Sequence, residues 1–231
     1  MPEPVVVWDI DRTIVRSSLE RRFVRYLRER GHVNGFRWFF ATVRLSLRWP
    51  LPKWWQLKMA YLRGRTVEEV MPWISDCWET SIKPALYEGS ESAIRRLREA
   101  GASLVLLSGT PRPLAGPLAE YLGVSNVLAG VPEVHNGKYT GRLVAPHPQG
   151  LWKVRYTKAW LEQHGHRWED VTAMADHIDD RFLLGAASRA VAVNPDARLR
   201  DCAKHKGWRI VDNTESHDAF TEIVDELLNS P

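Results

Sequence analysis

The sequence predicts an α/β protein built on a doubly wound (Rossmann-like) parallel sheet with an inserted α-helical cap. Short apolar runs rich in β-branched residues alternate with amphipathic helical segments along most of the chain. After the first run, about seventy residues show helical periodicity only, which indicates an insertion between two strands. A length of 231 residues suits one core domain plus such an insertion. We therefore expect an α/β core domain formed by residues 1–14 and 84–231 and a helical cap domain formed by residues 15–83.

The first apolar run, residues 5–8, ends abruptly in Asp9 and Asp11, and Thr13 follows. A short run of this composition is typical of a strand buried on both faces of a sheet. Its carboxylates would then lie at the carboxyl edge of a parallel sheet, where α/β proteins bind ligands. Two close carboxylates repel each other unless a cation or a proton lies between them. This segment therefore predicts a metal ion and metal-assisted chemistry on an anion.

The insertion is expected to hold four helices. Apolar residues at helical spacing predict the first three over residues 19–27, 36–47 and 54–62, which stop near Gly31, Pro50 and Gly64. Thr66 and Glu69 form a capping box that opens the fourth helix, toward Trp78.

The rest of the chain alternates between helices and strands. Ser90 is expected to cap a helix that stops at Gly101, residues 104–107 to form the second strand, and Pro111 to take the first position of the next helix. An Asn136-Gly137 turn predicts a β-hairpin. We then expect a helix over residues 153–164, strands over residues 171–175, 190–193 and 209–211, and a closing helix over residues 219–228.

The overall charge of +4 hides a strong asymmetry. Residues 12–65 carry fourteen Lys and Arg against two acidic residues, a net charge of +12, so the remaining residues carry −8. A helical bundle with a cationic outer face and an aromatic core explains this composition. The alternatives are an interfacial surface for an anionic membrane and electrostatic steering of anionic substrates into a cleft. Nucleic-acid binding is disfavoured, because no recognition motif accompanies the charge.

The chain carries no sign of export or of membrane insertion. Residues 1–4 lead directly into the first strand, so we expect no signal peptide. The aromatic-rich residues 36–55 include four basic residues, which excludes an ordinary membrane span. Cys77 and Cys202 fit no metal-ligand spacing and are expected to be reduced thiols of a cytoplasmic protein.

Further polar residues follow the later strands: Ser108 after the second, and Asp176 with Asp180 after residues 171–175. Lys153 opens the helix between them. Phosphoryl transfer requires an in-line nucleophile, a metal, and cationic and hydrogen-bonding partners for the phosphoryl oxygens, and hard oxygen ligands suit Mg²⁺. Each feature alone has a simpler explanation, as a polar turn, a helix cap, a solvated lysine or acids that favour a helix N-terminus.

The order of these motifs, Asp-x-Asp-x-Thr, then Ser, then Lys, then Asp-x-x-x-Asp, resembles the haloacid dehalogenase superfamily of phosphohydrolases. Its phosphoserine-phosphatase-like branch, in which a helical cap follows the first strand, is the most similar. Residues 137–142, 150–153 and 190–196 also look like that branch. The resemblance covers the whole chain in order, specifically in the motifs and weakly in the cap.

This resemblance implies a Mg²⁺-dependent phosphomonoester hydrolase that works through an aspartyl-phosphate. Asp9 would be the nucleophile and a metal ligand, and Asp11 would be the general acid and base, with its backbone carbonyl on the metal. Thr13 would orient their loop. The phosphoryl group would be bound by Ser108, the Gly109 N–H and Lys153, and the metal site would be completed by Asp176 and Asp180.

Several positions depart from the family pattern. Arg12 stands where glycine is frequent, Ala175 stands where many members have glycine, and His177 occupies a position that is more often serine. Ser18 and Lys58 lie near the positions where phosphoserine phosphatases hold the substrate amine and carboxylate, so they are candidate substrate residues. Both changes argue against phosphoserine as the substrate.

We therefore expect a phosphatase of a small phosphorylated metabolite. One alternative is a phosphatase of amphiphilic, lysophospholipid-like phosphates that contacts an anionic membrane peripherally. The other is a non-catalytic module that binds lipid or a partner through the basic aromatic cap. The oligomeric state stays open.

Overall fold

A computed structural model describes residues 3–32, 59–212, 214 and 216–229 of the chain. Six of its strands form one parallel sheet in the order β3–β2–β1–β6–β7–β8, and the other two form an antiparallel hairpin. The strands are β1 (Val5–Trp8), β2 (Ser103–Pro111), β3 (Asn126–Gly130), β4 (Pro132–His135), β5 (Lys138–Leu143), β6 (Val171–Ala175), β7 (Arg189–Val193) and β8 (Arg209–Val211).

Eight α-helices lie among the described residues: α1 (Leu19–Glu29), α2 (Val67–Cys77), α3 (Glu88–Glu99), α4 (Arg112–Leu122), α5 (Leu151–His164), α6 (Arg181–Ala186), α7 (Ala197–Lys206) and α8 (Thr221–Asn229). Shorter turns of 3₁₀ or π helix cover Ala60–Leu62, Trp78–Ile82, Lys83–Ala85, Trp168–Asp170 and Ile178–Asp180. None of the helices in these ranges is long and apolar enough to cross a membrane.

Both faces of the sheet are buried, which explains why its strands are continuous apolar runs. Along β1, Val6 and Trp8 pack into the core on one face, whereas Val5 and Val7 pack into the core on the other. All four side chains are fully buried. Helices on both faces of a parallel sheet make the doubly wound α/β fold that the sequence predicted, so this prediction is confirmed.

The described parts of the insertion fit their predicted helices. The stripe of Leu19, Phe23, Tyr26 and Leu27 is buried along α1. The Thr66–Glu69 capping box opens α2, with both reciprocal bonds formed. The helix predicted over residues 36–47 lies outside the described residues, and of the one predicted over 54–62 only the final 3₁₀ turn, Ala60–Leu62, is described.

The hairpin of β4 and β5 contacts the insertion directly. Its Asn136–Gly137 turn is the one the sequence predicted. The Gly64 N–H donates to the Tyr139 carbonyl, and the Tyr139 N–H donates to the Arg65 carbonyl, at 2.8 and 2.9 Å. The end of the insertion therefore pairs with a strand that belongs to the other part of the chain.

Three details of the sequence prediction were wrong or incomplete. Strand β3 was missed, because its run of Asn126, Val127 and Leu128 is short and only half-buried at the sheet edge. Pro111 is the N-cap of α4 rather than its first residue, and α4 instead carries Pro113 in its first turn, where a missing N–H costs nothing.

Ser90 does not cap a helix. Helix α3 begins two residues earlier, and the Gly89 N–H donates to the Thr214 carbonyl at 2.9 Å, so a first-turn N–H of α3 has a partner without a side-chain cap. Gly89 is required for this contact, because a Cβ there would lie 2.3 Å from the Ser216 carbonyl oxygen. The Ser90 hydroxyl is fully buried and donates instead to the Thr13 carbonyl at 2.7 Å.

Candidate active site

The carboxyl ends of three adjacent strands bring the predicted site residues to one edge of the sheet. Asp9 directly follows β1, Ser108 lies near the end of β2, and Asp176 directly follows β6. The Asp9 N–H donates to the Met174 carbonyl at 2.9 Å, which extends the pairing of β1 with β6 by one residue and fixes the backbone of Asp9.

Lys153 links two of the acids. Its Nζ lies 2.7 Å from Oδ1 of Asp9 and 2.8 Å from Oδ2 of Asp180, and all three side chains are at least nine-tenths buried. Lys153 lies in the first turn of α5. This helix begins directly after Gly150, whose φ of +55° lets the chain turn sharply into it. The structure therefore holds a buried ion pair where the sequence predicted a phosphate-binding lysine and two metal ligands.

Asp9, Asp176 and Asp180 form a group that could hold a metal ion. One carboxylate oxygen from each lies within 4.8 Å of the other two, and all three residues are buried. Several buried carboxylate oxygens at this spacing match the ligands that hard divalent cations prefer. The donor set therefore fits the metal site that the sequence predicted.

The ionisation of these groups reflects their burial and their mutual repulsion. Burial, reinforced by the charges of Asp9 and Asp180, raises the pKa of Asp176 to about 8. Burial also raises the pKa of Asp180 to about 6, although Lys153 opposes the shift. For Lys153, burial lowers the pKa, but the carboxylates of Asp180 and Asp9 outweigh it and raise the pKa above its ordinary value. A divalent cation would relieve the repulsion among the carboxylates.

Asp11 lies in a different environment. Its Oδ1 accepts a hydrogen bond from the Leu19 N–H at the start of α1, at 2.9 Å, and its Oδ2 accepts one from the Thr110 hydroxyl at 3.1 Å. Burial raises the pKa of Asp11, and these two hydrogen bonds oppose the shift. The Asp11 carboxylate therefore lies outside the acidic group that could hold a metal, and the assignment of its backbone carbonyl to the metal stays a prediction.

The end of β2 supplies the predicted phosphate-binding residues. Ser108 is buried, and its Oγ accepts a hydrogen bond from the Thr110 N–H at 3.0 Å. Gly109 lies against His147: a Cβ at this position would come within 2.3 Å of the His147 ring. A side chain at position 109 would therefore displace the His147 ring, which gives a packing reason for glycine here.

These residues line a single cleft of about 290 Å³. Its buried lining residues include Asp9, Ser108, Thr110, Lys153, Asp176 and Asp180. The rest of the lining includes Asp11, Arg12, Ser18, Glu20, Arg21, Gly109, His147, Gln149, His177 and Asp179. The structure thus brings together every predicted site residue except Lys58, which lies outside the described residues.

Three residues that the sequence singled out have structural roles, two of them in the lining of this cleft and one next to it. Ser18 lines it and also caps α1, accepting a hydrogen bond from the Arg21 N–H. The His177 ring accepts one from the Asp179 N–H and caps the turn Ile178–Asp180. Thr13 is fully buried in the loop after β1, and its carbonyl accepts the bond from Ser90.

Sequence reasoning missed Thr110, His147, Glu20 and Arg21 as cleft residues. Thr110 follows Ser108 by two residues, so its position on the same strand end was available from the sequence. His147 was not available, because it comes from the irregular stretch between β5 and α5. No periodicity predicts where such a stretch will pack.

Comparison with known proteins agrees with this geometry. Residues 6–184 match the haloacid dehalogenase-like hydrolase family. The chain is 30% identical over 215 residues to phosphoserine phosphatase SerB1 of Mycobacterium tuberculosis, and the alignment covers 89% of this chain and 69% of that protein.

Solved structures show the same fold at lower identity. A protein with unknown function from Bordetella pertussis Tohama I superposes with a TM-score of 0.81 at 23% identity, covering 92% of this chain and 99% of that one. A phosphoserine phosphatase solved as a phospho-aspartyl intermediate analogue superposes with a TM-score of 0.63 at 19% identity, covering 97% of this chain and 99% of that one. The chain belongs to the haloacid dehalogenase-like hydrolases, and the phosphatase predicted from its motifs is confirmed.

Proposed function

We propose that this protein is a Mg²⁺-dependent phosphomonoester hydrolase that forms an aspartyl-phosphate on Asp9 and acts on a small phosphorylated metabolite. The observation that carries the proposal is the buried ion pair of Lys153 with Asp9 and Asp180, next to Asp176, in the lining of an open cleft. A buried cation and three buried carboxylates are costly to keep in a purely structural role.

Asp9 would attack the phosphorus atom through a carboxylate oxygen. The bond from phosphorus to the leaving oxygen breaks as the new bond to Asp9 forms, and the Asp11 carboxyl donates its proton to that leaving oxygen. Asp11, now a carboxylate, would next take a proton from the water that attacks the aspartyl-phosphate, which releases phosphate and restores both aspartates. The raised pKa of Asp11 favours the protonated form that the first step requires.

The remaining residues would bind charge and orient the reactants. Ser108 and the Gly109 N–H would hydrogen-bond the phosphoryl oxygens, and Lys153 would balance their negative charge. Asp9, the Asp11 carbonyl, Asp176 and Asp180 would hold Mg²⁺, which when bound supplies charge stabilisation to the phosphoryl group. Residues 15–83 would form a cap domain over the cleft, with Ser18 and Lys58 among the substrate contacts.

Substitution of Asp9 gives the most direct test. With Mg²⁺ and a generic aryl phosphate, we expect Asp9→Asn to reduce kcat by at least about 10³-fold, since an amide is a poor nucleophile. Asp179→Asn is the matched control: it makes the same change in the same cleft at a carboxylate that is 43% exposed, and we expect kcat to stay within about threefold. Turnover by Asp9→Asn at the rate of the native enzyme would falsify the nucleophile assignment.

Asp11→Asn tests the second role. We expect it to slow both half-reactions by about 10²- to 10⁴-fold, since neither the leaving group nor the water exchanges a proton with an amide. A rapid acid quench followed by separation of protein-bound phosphate from free phosphate distinguishes formation of the aspartyl-phosphate from its hydrolysis, because an acyl phosphate survives the acid. A variant that slows only one of the two steps contradicts the shared acid–base role.

A second candidate, a phosphatase of amphiphilic phosphates with peripheral contact to an anionic membrane, is favoured by the charge of the insertion. Residues 12–65 carry a net charge of +12, and Arg21, Arg25, Arg28 and Arg30 are exposed along α1. Hydrolysis of lysophosphatidate beside a panel of water-soluble phosphates, together with cosedimentation with anionic liposomes, separates the candidates. Turnover with no liposome binding favours a cytoplasmic enzyme of a small metabolite, whereas liposome binding without turnover of any phosphate favours the non-catalytic module.

A further inference from the structure

Arg12, in the middle of the first acidic motif, has an unusual backbone. Its φ is +60°, in the left-handed region that side chains with a Cβ adopt at a cost. Among the described residues, the other non-glycine residues with positive φ are Asn136 and Asn194, and asparagine tolerates this conformation better than arginine does. The surrounding fold therefore holds Arg12 in a conformation that suits glycine, and the side chain needs a separate explanation.

The Arg12 guanidinium lies at the lip of the cleft, above the acidic group. Its Nη1 is 3.7 Å from Oδ2 of Asp176, and the arginine side chain is 45% exposed whereas the aspartate is only 6% exposed. Among the described residues, Asp176 forms its ion pair with Arg12, whereas Asp9 and Asp180 form theirs with Lys153. Each of the three carboxylates thus has a cationic partner from the protein itself.

Counting charges shows that Arg12 is surplus when a divalent ion is bound. With an ion bound, all three carboxylates are ionised and carry a charge of −3, which Lys153 together with one divalent cation already balances. The guanidinium adds a further positive charge close to the carboxylate that the cation would bind. It attracts Asp176 when no ion is present and repels an ion that approaches the same carboxylate.

We propose that Arg12 is the internal counter-ion of Asp176, which offsets part of the negative charge of the metal-free site and competes with the metal ion for that carboxylate. Arg12 is thus a positioning residue. It weakens metal binding, and it holds the Asp176 carboxylate in place when no metal ion is bound. This inference rests on the proposed metal-dependent function. In that function, Arg12 sets the affinity of the site for the metal ion.

The test is calorimetric titration of metal-free protein with Mg²⁺ at fixed ionic strength. Arg12→Asn removes the charge while keeping a residue that tolerates a positive φ, and we expect it to bind Mg²⁺ roughly tenfold more tightly than the native protein. Arg12→Lys keeps the charge and is expected to bind within about threefold of the native protein. Arg25→Gln removes one charge from an exposed position of α1 outside the cleft lining, and it should leave the affinity unchanged.

Thermal unfolding supplies a second readout that does not depend on activity. Because a ligand stabilises the state to which it binds, the rise in Tm between EDTA and a fixed Mg²⁺ concentration should be larger for Arg12→Asn than for the native protein or Arg12→Lys.

Equal Mg²⁺ affinity in Arg12→Asn and the native protein overturns the inference while leaving the metal site intact. An equal gain in Arg25→Gln overturns it too, since the effect would then be one of overall charge. If the native protein binds no Mg²⁺, both this inference and the metal dependence fail, whereas Asp9→Asn still tests the nucleophile.

Discussion

Asp9 and Asp11 are two residues apart in the chain, yet their carboxylates lie in two different regions of the cleft. The ion side holds Asp9 with Lys153, Asp176 and Asp180, where one lysine and three carboxyl groups lie together in a buried cluster. The helix side holds Asp11, whose carboxylate accepts hydrogen bonds from the Leu19 N–H and from the Thr110 hydroxyl. One aspartate is stabilised by a cation, and the other by uncharged donors.

The turn after β1 produces this separation. The sequence predicted a cation or a proton between Asp9 and Asp11, because two close carboxylates repel each other. The strand ends at Trp8, as predicted, and the N–H groups of Thr13 and Ile14 both donate to the Ile10 carbonyl. The chain therefore bends between the two aspartates and directs Asp11 toward α1.

The difference suits two aspartates with different tasks. Burial raises the pKa of Asp9 too, but the Lys153 ammonium at 2.7 Å opposes this shift and favours the carboxylate form that a nucleophile needs. A general acid must hold a proton and release it. The half-buried Asp11 forms no ion pair with a cation among the described residues, and the partial burial of its carboxyl raises its pKa. On the ion side, we therefore expect the largest loss of stability and activity when a charge is removed. On the helix side, we expect activity to depend on single hydrogen bonds to Asp11.

Lys153→Met should have the largest effect, because it breaks the ion side. The substitution keeps the length of the side chain but leaves Asp9 and Asp180 without their cation. We expect the free energy of unfolding in EDTA to fall by about 3–5 kcal/mol at neutral pH, as for other broken buried ion pairs. We expect kcat to fall by at least about 10²-fold, since the phosphoryl charge is no longer balanced. Chemical denaturation and steady-state kinetics measure the two quantities.

Lys158→Met is the matched control on the same helix. Lys158 pairs with Glu162 at 3.7 Å, but both side chains are about two-thirds exposed, so we expect a change below about 1 kcal/mol and native activity. If Lys153→Met is as stable in EDTA as Lys158→Met, the buried ion pair does not stabilise the metal-free fold.

Thr110→Val tests the helix side with a smaller expected effect. Valine keeps the shape of threonine but removes the hydroxyl that donates to Asp11, while the Leu19 N–H remains. Because hydrogen bonds to charged groups contribute about 1.5–3 kcal/mol, we expect kcat to fall by roughly ten- to a hundredfold with a small change in KM. Thr157→Val makes the same change at a buried threonine of α5 whose hydroxyl has no hydrogen-bond partner among the described residues, and it should leave kcat unchanged. A native kcat in Thr110→Val shows that the bond to Asp11 does not position the acid.

The parts of the fold that the sequence predicted are those fixed by periodicity and by strand ends. Residues 5–8 and 171–175 are central strands, buried on both faces, so their apolar runs were unambiguous. Their carboxyl ends place Asp9 and Asp176 at one edge because the topology of a parallel sheet leaves no other arrangement. Strand β3, at the edge, is only half-buried and gave no such pattern.

The parts that could not be predicted depend on contacts between distant stretches of chain. Nothing in the local sequence of residues 88–90 shows that the Gly89 N–H will donate to the Thr214 carbonyl or that the Ser90 hydroxyl will donate to the Thr13 carbonyl. Likewise, the approach of the His147 ring to Gly109 follows from the path of an irregular loop. The direction of the Asp11 carboxylate depends on where α1 begins relative to β2, which is a tertiary relation.

Ser90→Ala should have the smallest effect on kcat. It tests what anchors the loop after β1, which carries both Asp9 and Asp11. The buried Ser90 hydroxyl donates to the Thr13 carbonyl at 2.7 Å, so its removal leaves a buried acceptor without this partner. We expect the free energy of unfolding to fall by about 1–3 kcal/mol in urea denaturation. Ser92→Ala, two residues along the same helix at a half-buried position, is the matched control and should change stability by less than about 0.5 kcal/mol. Because the loop keeps the bonds from Thr13 and Ile14 to the Ile10 carbonyl, kcat should fall by less than about threefold in Ser90→Ala. A larger loss of kcat than Thr110→Val causes would mean that the loop anchor, and not the hydrogen bonds to Asp11 itself, divides the cleft into its two sides.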